Sequence, residues 1–278
     1  MKNILKRLMK IIYRNQISMD GKKSVKKHIN LEYWKAKVNL GDYLAYIVYN
    51  WMLKFYNLSF DVKTNKTIHL MTIGSLIGSG NYDAVIWGSG IHTIGMMKRI
   101  FKNKILVKYD VRAVRGPITK VILKEAGYDV SRAVCGDPAV LMPLVYSGKK
   151  DKKYKYSVIR HHSIKHNDIP NNCNEISIET QDYKYFIDEI TASECVISSS
   201  LHGIILAESY GIPAVFLYDN MSSELMKYYD WYYSTGRLNV KIADSLEDAM
   251  DMIPMELPNL KKMQQNLIDS FPYDLWNN

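Results

Sequence analysis

Val196-Ile-Ser-Ser-Ser-Leu-His-Gly-Ile-Ile-Leu-Ala-Glu-Ser-Tyr-Gly-Ile-Pro-Ala-Val-Phe-Leu217 is the stretch on which the fold class turns. Cys195 to Ile197 is a short apolar, mostly β-branched run that reads as a buried strand. A serine and histidine turn follows, then an apolar-periodic helix closed by Gly211, and a second strand opens at Ala214. A strand-turn-helix-strand unit of this kind belongs to an α/β fold with a parallel sheet. In open parallel sheets, ligands sit beyond the carboxyl ends of the strands, where the next helix turns its free N–H groups and positive dipole end outward. Ser198, Ser199, Ser200 and His202 therefore stand where an anion binds.

The same alternation extends in both directions. Asn39-Leu-Gly-Asp42 precedes a periodic apolar segment from Tyr43 to Phe55, with Asp42 as the expected N-cap. Ile68 to Ile73 reads as a strand ending in Gly74-Ser75, and Ala84 to Trp87 as another ending in Gly88-Ser-Gly90. Lys104 to Lys108 and Val111 to Val114 read as two further strands. Arg115-Gly-Pro-Ile-Thr119 then opens a helix, with Pro117 near N1 and Gly127 past its end. The block from Cys135 to Ala139 closes this half, and the charged run Gly148-Lys-Lys-Asp-Lys-Lys153 reads as a linker. Beyond it come a strand at Tyr156 to Arg160 leading to His161-His162, a strand at Glu175 to Ile178, a helix at Asp182 to Ala192, and a terminal helix at Leu257 to Ile268. The predicted architecture is α/β: two Rossmann-like domains facing across a cleft, residues 29–147 and 154–256. A basic arm (1–28) precedes them and a C-terminal helix and tail (257–278) follows.

Composition narrows the class. At 278 residues and 47% hydrophobic, the chain can bury a large core and is expected to fold. No apolar run reaches the ~20 residues needed to cross a bilayer, and no h-region with a small-residue cleavage site opens the sequence, so a cytosolic protein is expected. Three cysteines without a Cys-x-x-Cys pair fit reduced thiols, with neither a disulfide nor a zinc site. Of the formal net charge of +9, most resides in residues 1–28, where nine Lys or Arg face the single acid Asp20. The body is close to neutral, which excludes a broad nucleic-acid-binding surface. On a helix, residues 1–14 gather Ile4, Leu5, Leu8, Met9, Ile11 and Ile12 on one side and basic residues on the other. Such a helix suits either an anionic membrane surface or a docked position on its own domain.

Individual residues carry two readings each. His202 fits a general acid or anion contact, or a structural histidine bonded to a strand-end carbonyl. His161, at the end of the strand that opens the second half, occupies an analogous place. His162 and His166 are four apart but lie in a loop-like segment, a poor metal pair. Arg115 sits at a turn where its guanidinium can fork onto a carboxylate or phosphate, with Arg112 and Arg160 as competitors for that role. Tyr228-Tyr-Asp-Trp-Tyr-Tyr233 offers flat faces for a sugar ring beside one carboxylate, or an aromatic clamp within the core.

Taken together, Asn39-Leu-Gly-Asp42, Trp87-Gly-Ser-Gly90, Val114-Arg-Gly-Pro117, Gly136-Asp-Pro138, Ser198-Ser-Ser-Leu-His-Gly203 with Tyr210-Gly-Ile-Pro213, and Asp230-Trp-Tyr-Tyr-Ser234 resemble the polysaccharide pyruvyl transferases. The resemblance implies a GT-B-like pair of Rossmann-like domains that moves a pyruvyl group from phosphoenolpyruvate onto sugar hydroxyls as a ketal, with no cofactor and no metal. It implies that His202 contacts the donor; ketal formation also needs proton traffic, for which the expected catalytic residues are His202 as acid and His161 or Asp42 as the group that takes the hydroxyl proton. Donor contacts are expected from Arg115, Ser199, Ser200, Leu201, Gly203, Gly88, Ser89, Gly90, Asn39 and Gly41. Acceptor contacts are expected from Asp230, Trp231, Tyr232 and His92. The expected partners are phosphoenolpyruvate, a lipid-linked oligosaccharide or polysaccharide acceptor, and an anionic membrane reached by residues 1–14 at its inner face. Many members carry arginine before Leu-His-Gly where this chain has Ser200, so one cationic donor contact is expected to be either absent or supplied by Arg160 or Arg112. A nucleotide-sugar glycosyltransferase or a non-catalytic glycan-binding module shares the fold and stays open on the sequence alone.

Overall fold

Ten short strands, among the residues described, assemble into two five-stranded sheets in which every ladder is parallel. The structure is a computed structural model that describes residues 22–80, 82–149, 151–164, 169–218 and 225–277. Residues 1–14 of the basic arm, and His166, lie outside the described residues. The first sheet runs in sequence order: β1 (Ile29–Glu32), β2 (Ile68–Met71), β3 (Ala84–Trp87), β4 (Tyr109–Val114) and β5 (Val134–Cys135). The second comprises β6 (Tyr154–Ile159), β7 (Cys173–Glu175), β8 (Ser193–Ser198), β9 (Ala214–Leu217) and β10 (Ile242–Ala243), ordered β10-β9-β8-β6-β7. Strands β2, β3 and β9 are buried along their whole length, as continuous apolar runs in a sheet covered on both faces must be.

The order of the second sheet places the site. From β6 the chain moves to β7 on one side, then returns to β8 on the other. A reversal of this kind opens a crevice beyond the carboxyl ends of the two central strands. His161 follows β6 and Ser199 follows β8, so both turns empty into that crevice.

Helix α1 (Leu40–Phe55) begins at Asn39, whose side-chain oxygen accepts the Gly41 N–H at 2.9 Å. Asp42, expected as the cap, lies in the first turn instead, because Asn39 already satisfies a free N–H group there. Leu44 and Val48 of α1 share one core with Val140 and Leu141 of the 3₁₀ turn Pro138–Leu141, with Val196 of β8, and with Ile204 and Ile205 of α6 (Leu201–Ser209). That core is contributed by both sheets' surroundings, and the Leu40 N–H donates to the Ile178 carbonyl at 2.9 Å across them.

Three further expectations are corrected. Lys104 to Lys108 forms no strand: the chain leaves α2 (Ile94–Asn103) through a turn in which the Leu106 and Val107 N–H groups return to Asn103 O, and one continuous strand starts at Tyr109. The strand expected at Glu175 to Ile178 ends at Glu175, and Ile176 and Ile178 turn into the core. The terminal helix starts at Lys261 rather than Leu257. β1, β5, β10 and α2, and the helices Met142–Val145, Met226–Ser234 and Leu246–Asp251, are elements that the sequence pattern did not announce.

The remaining helices are α3 (Pro117–Glu125), α4 (Met142–Val145), α5 (Tyr183–Thr191), α7 (Met226–Ser234), α8 (Leu246–Asp251) and α9 (Lys261–Asp269). Although last in sequence, α9 packs back on the first half: the Trp87 indole N–H donates to Leu267 O at 2.9 Å, and Gln264 donates to Val140 O at 2.7 Å. No described helix is long and apolar enough to cross a membrane.

Candidate active site

A cavity of about 470 Å³ lies where the turns after β2, β4, β6 and β8 converge with the N-termini of α1, α6 and α7. Its size falls within the ~300–1,000 Å³ usual for small-molecule sites. From the first half come Asn39, Asp42, Ser75, His92 and Arg115; from the second come His161, His162, Ser200, Leu201 and His202, with Lys227 from the first turn of α7. Trp34, on the loop between β1 and α1, stands at the mouth.

Arg115 is held from several directions. Its own N–H donates to Ser89 O at 3.0 Å, which fixes the turn after β4. Its guanidinium donates to Ser75 Oγ at 2.9 Å and to Ile91 O at 2.6 Å, and its Nε faces Asp230 Oδ2 at 3.4 Å. Asp230 is in turn held by the Thr119 N–H and hydroxyl at 3.1 and 2.6 Å. A fully buried Arg–Asp pair of this kind is a positioning device, since either charge alone would be costly to bury. Burial pushes the Asp230 carboxyl up, and Arg115 and Thr119 oppose it.

Opposite stands Lys227, whose ammonium lies 3.3 Å from His161 Nε2. Burial pulls its pKa down to about 8, the Arg115 charge adds to that, and Asp42 opposes it. Burial likewise lowers His161 to about 3 and His92 to about 4, with Lys227 the next cause in both, and it lowers His162. The Asp42 carboxyl is raised to about 6, again by burial first, against the pull of His202 and Lys227. At neutral pH the cavity thus holds two mutually repelling cations, three uncharged imidazoles and one carboxylate near its titration point. A lysine depressed by burial and by a second cation in such a pocket marks a place for an anion.

His202 projects from the first turn of α6 and packs on the first turn of α1, where any side chain at Gly41 would collide with its imidazole. Its Nε2 faces Asp137 Oδ2 at 3.7 Å, and both atoms are buried without a hydrogen-bond partner among the described residues. The other Asp137 oxygen accepts the Ala139 N–H at 3.0 Å, so this carboxylate is fixed while the imidazole is not. Catalytic hydrogen bonds are often this long before substrate binds.

The other expected residues divide cleanly. Ser200 and Leu201 line the cavity, but Ser199 stands behind it, its hydroxyl accepting the His161 N–H at 2.9 Å. Gly203 packs on Ser198, and Gly88 on Pro138. Ser89 Oγ donates to Gly74 O at 2.9 Å, and Gly90 leaves room for the Arg115 guanidinium. These residues shape the turns without reaching the cavity, which corrects the expectation that Gly88 to Gly90 line it. Asp230, Trp231 and Tyr232 are buried in α7; the Trp231 indole N–H donates to Glu208 at 2.9 Å, and Tyr232 lies under Arg237. None of the three can meet a sugar. His92 does line the cavity.

Arg112 is spoken for by Asp110 and Asp274, and neither it nor Arg160 lines the cavity. The second cation is Lys227, which the sequence reading missed. It sits one residue before the aromatic cluster and carries no pattern of its own; only the return of α7 to the crevice brings it in. Among the described residues no group of three or more His, Cys, Asp or Glu side chains is placed to hold a metal ion.

A sequence profile of the polysaccharide pyruvyl transferases matches residues 21–220. The chain belongs to that family. The match contains every cavity-lining residue except Lys227. Family membership places the chain among transferases that modify polysaccharides. An uncharacterised protein of Acanthamoeba polyphaga mimivirus is 27% identical over 219 residues, covering 74% of each chain. Among solved structures, a functionally uncharacterised protein of Klebsiella pneumoniae superposes with a TM-score of 0.49 at 15% identity, covering 88% of this chain and 99% of that one. The wall teichoic acid polymerase TagF gives 0.41 at 11% identity, covering 94% and 85%.

Proposed function

We propose that the protein transfers the pyruvyl group of phosphoenolpyruvate to two hydroxyls of a surface-polysaccharide sugar, forming a cyclic ketal and releasing phosphate. The observation that carries this reading is the meeting of Arg115 and Lys227 in one cavity, where Asp42 is the single carboxylate among the described lining residues and Asp230 holds Arg115 from behind. Phosphoenolpyruvate brings a carboxylate and a phosphate, and each cation takes one of them with help from the N–H groups at the start of α6. Lys227 then supplies the charge that Ser200 does not.

The chemistry needs three proton movements near neutrality. A sugar hydroxyl attacks the central carbon of the donor and loses its proton to Asp42, whose raised pKa suits a base at this pH. The methylene carbon takes a proton from His202, whose ring faces the fixed Asp137 carboxylate. The carbon–oxygen bond to phosphate breaks, the leaving phosphate takes the proton held by Asp42, and a second hydroxyl closes the ketal as its proton goes to His202. His161, uncharged and in contact with the Lys227 ammonium, serves to hold that cation in place.

In the same reading the two sheet-bearing halves act as Rossmann-like, GT-B-like domains across the cavity, and the acceptor is lipid-linked. Residues 1–14 then hold the cytoplasmic enzyme at the inner face of the membrane. Sedimentation with anionic vesicles tests that part, since a chain lacking residues 1–14 must lose the binding.

Thermal denaturation in the presence of candidate ligands tests the donor. Phosphoenolpyruvate raises the midpoint and uridine or guanosine diphosphate does not; the opposite result would favour a nucleotide-sugar transferase.

A further inference from the structure

The cavity changes character from floor to mouth. Its floor is built from Arg115, Lys227 and Asp42, whereas the mouth carries Trp34, the one large aromatic side chain besides the imidazoles among the described residues that line it. Trp34 is 44% exposed, and its indole N–H makes no hydrogen bond among the described residues. A tryptophan that is this exposed and also lines a polar cavity offers its apolar face to a ligand there.

We propose that Trp34 is the stacking platform for the acceptor sugar, and that this rim forms the acceptor subsite. This rests on the pyruvyl-transfer reading above and extends it to the second substrate. A pyranose ring has an apolar face of C–H bonds edged by hydroxyls. The indole covers the face, while Ser163, exposed on the same cavity lining, and Asn39 and His162, bonded to one another at 3.2 Å, offer polar groups to the edge. An indole carries no charge to set against a dianion, so the donor belongs on the floor with Arg115 and Lys227. With the donor there, hydroxyls of a ring stacked on Trp34 point inward toward Asp42. The aromatic segment in α7 cannot fill this role, since its tryptophan is buried and its N–H is bonded to Glu208.

The test separates the subsite from the chemistry. Methyl galactoside, methyl mannoside and methyl glucoside are titrated into the full-length protein without phosphoenolpyruvate, and transfer of saturation from protein to ring protons is measured by NMR. The wild type binds at least one glycoside, W34A loses the signal at least ~5-fold, and W34F retains most of it. The thermal shift induced by phosphoenolpyruvate stays unchanged in W34A. Equal signals in wild type and W34A, or no glycoside binding by the wild type, overturn the subsite. Absence of pyruvylated product despite Trp34-dependent binding leaves the subsite standing and overturns only the donor chemistry.

Discussion

Asp42 and Lys227 set the expected pH profile. The base form of Asp42 is lost as pH falls through about 6, and the Lys227 cation is lost as pH rises through about 8. For the free enzyme, kcat/KM for phosphoenolpyruvate is therefore bell-shaped between these limits, falling about tenfold per pH unit on each side. K227A removes the alkaline limb and lowers kcat/KM roughly 10- to 100-fold, the value of a charge-assisted contact. Stability moves the other way at Asp42. Its folded pKa lies above the unfolded one, so the desolvated carboxylate weakens the fold increasingly up to pH ~6 and by a constant amount above it, on the order of 3 kcal/mol. D42N is thus inactive yet more stable to urea at pH 8, with no such gain at pH 3. His202 and Arg115 were legible in the sequence because each follows a strand at a turn that opens a helix. Lys227 was not, since nothing local distinguishes a lysine at a helix start from a solvated one.

Turns and helix starts were read well where glycine, proline and a capping residue mark them, as at Pro117 and Gly127. The glycines in the turn after β3 were misread as ligand contacts because close approach to a ligand and close approach to the protein demand the same residue. Gly116 shows the second use: a side chain there would strike the Asp230 carbonyl and carboxylate, forcing α3 away from α7. G116A therefore costs at least ~2 kcal/mol in urea denaturation and loosens Arg115 with it. Gly41 is the contrasting case, for the atom in the way is the His202 imidazole rather than backbone. G41A displaces that ring, so kcat falls well over tenfold while the urea midpoint barely moves. A large loss of stability in G41A would show that this glycine serves the fold.

The two halves were visible as alternating strands and helices, but their joint core was not, because it depends on which helix faces meet. Leu44 of α1 and Ile204 of α6 look alike as amphipathic residues whether they bury within one half or between two. Urea unfolding should accordingly show one transition, with tryptophan fluorescence and far-UV circular dichroism coincident; two separated transitions would contradict a shared core. At this scale the central proposal is that the cationic cavity accepts phosphoenolpyruvate as donor. Incubating the protein with isotopically labelled phosphoenolpyruvate and a panel of galactosides, mannosides and glucosides, then weighing the products by mass spectrometry, addresses it most directly. A glycan carrying all three donor carbons, with one phosphate released per glycan modified and none formed by R115A, is the predicted result. Unmodified glycans throughout, or phosphate released without label on any sugar, would contradict it.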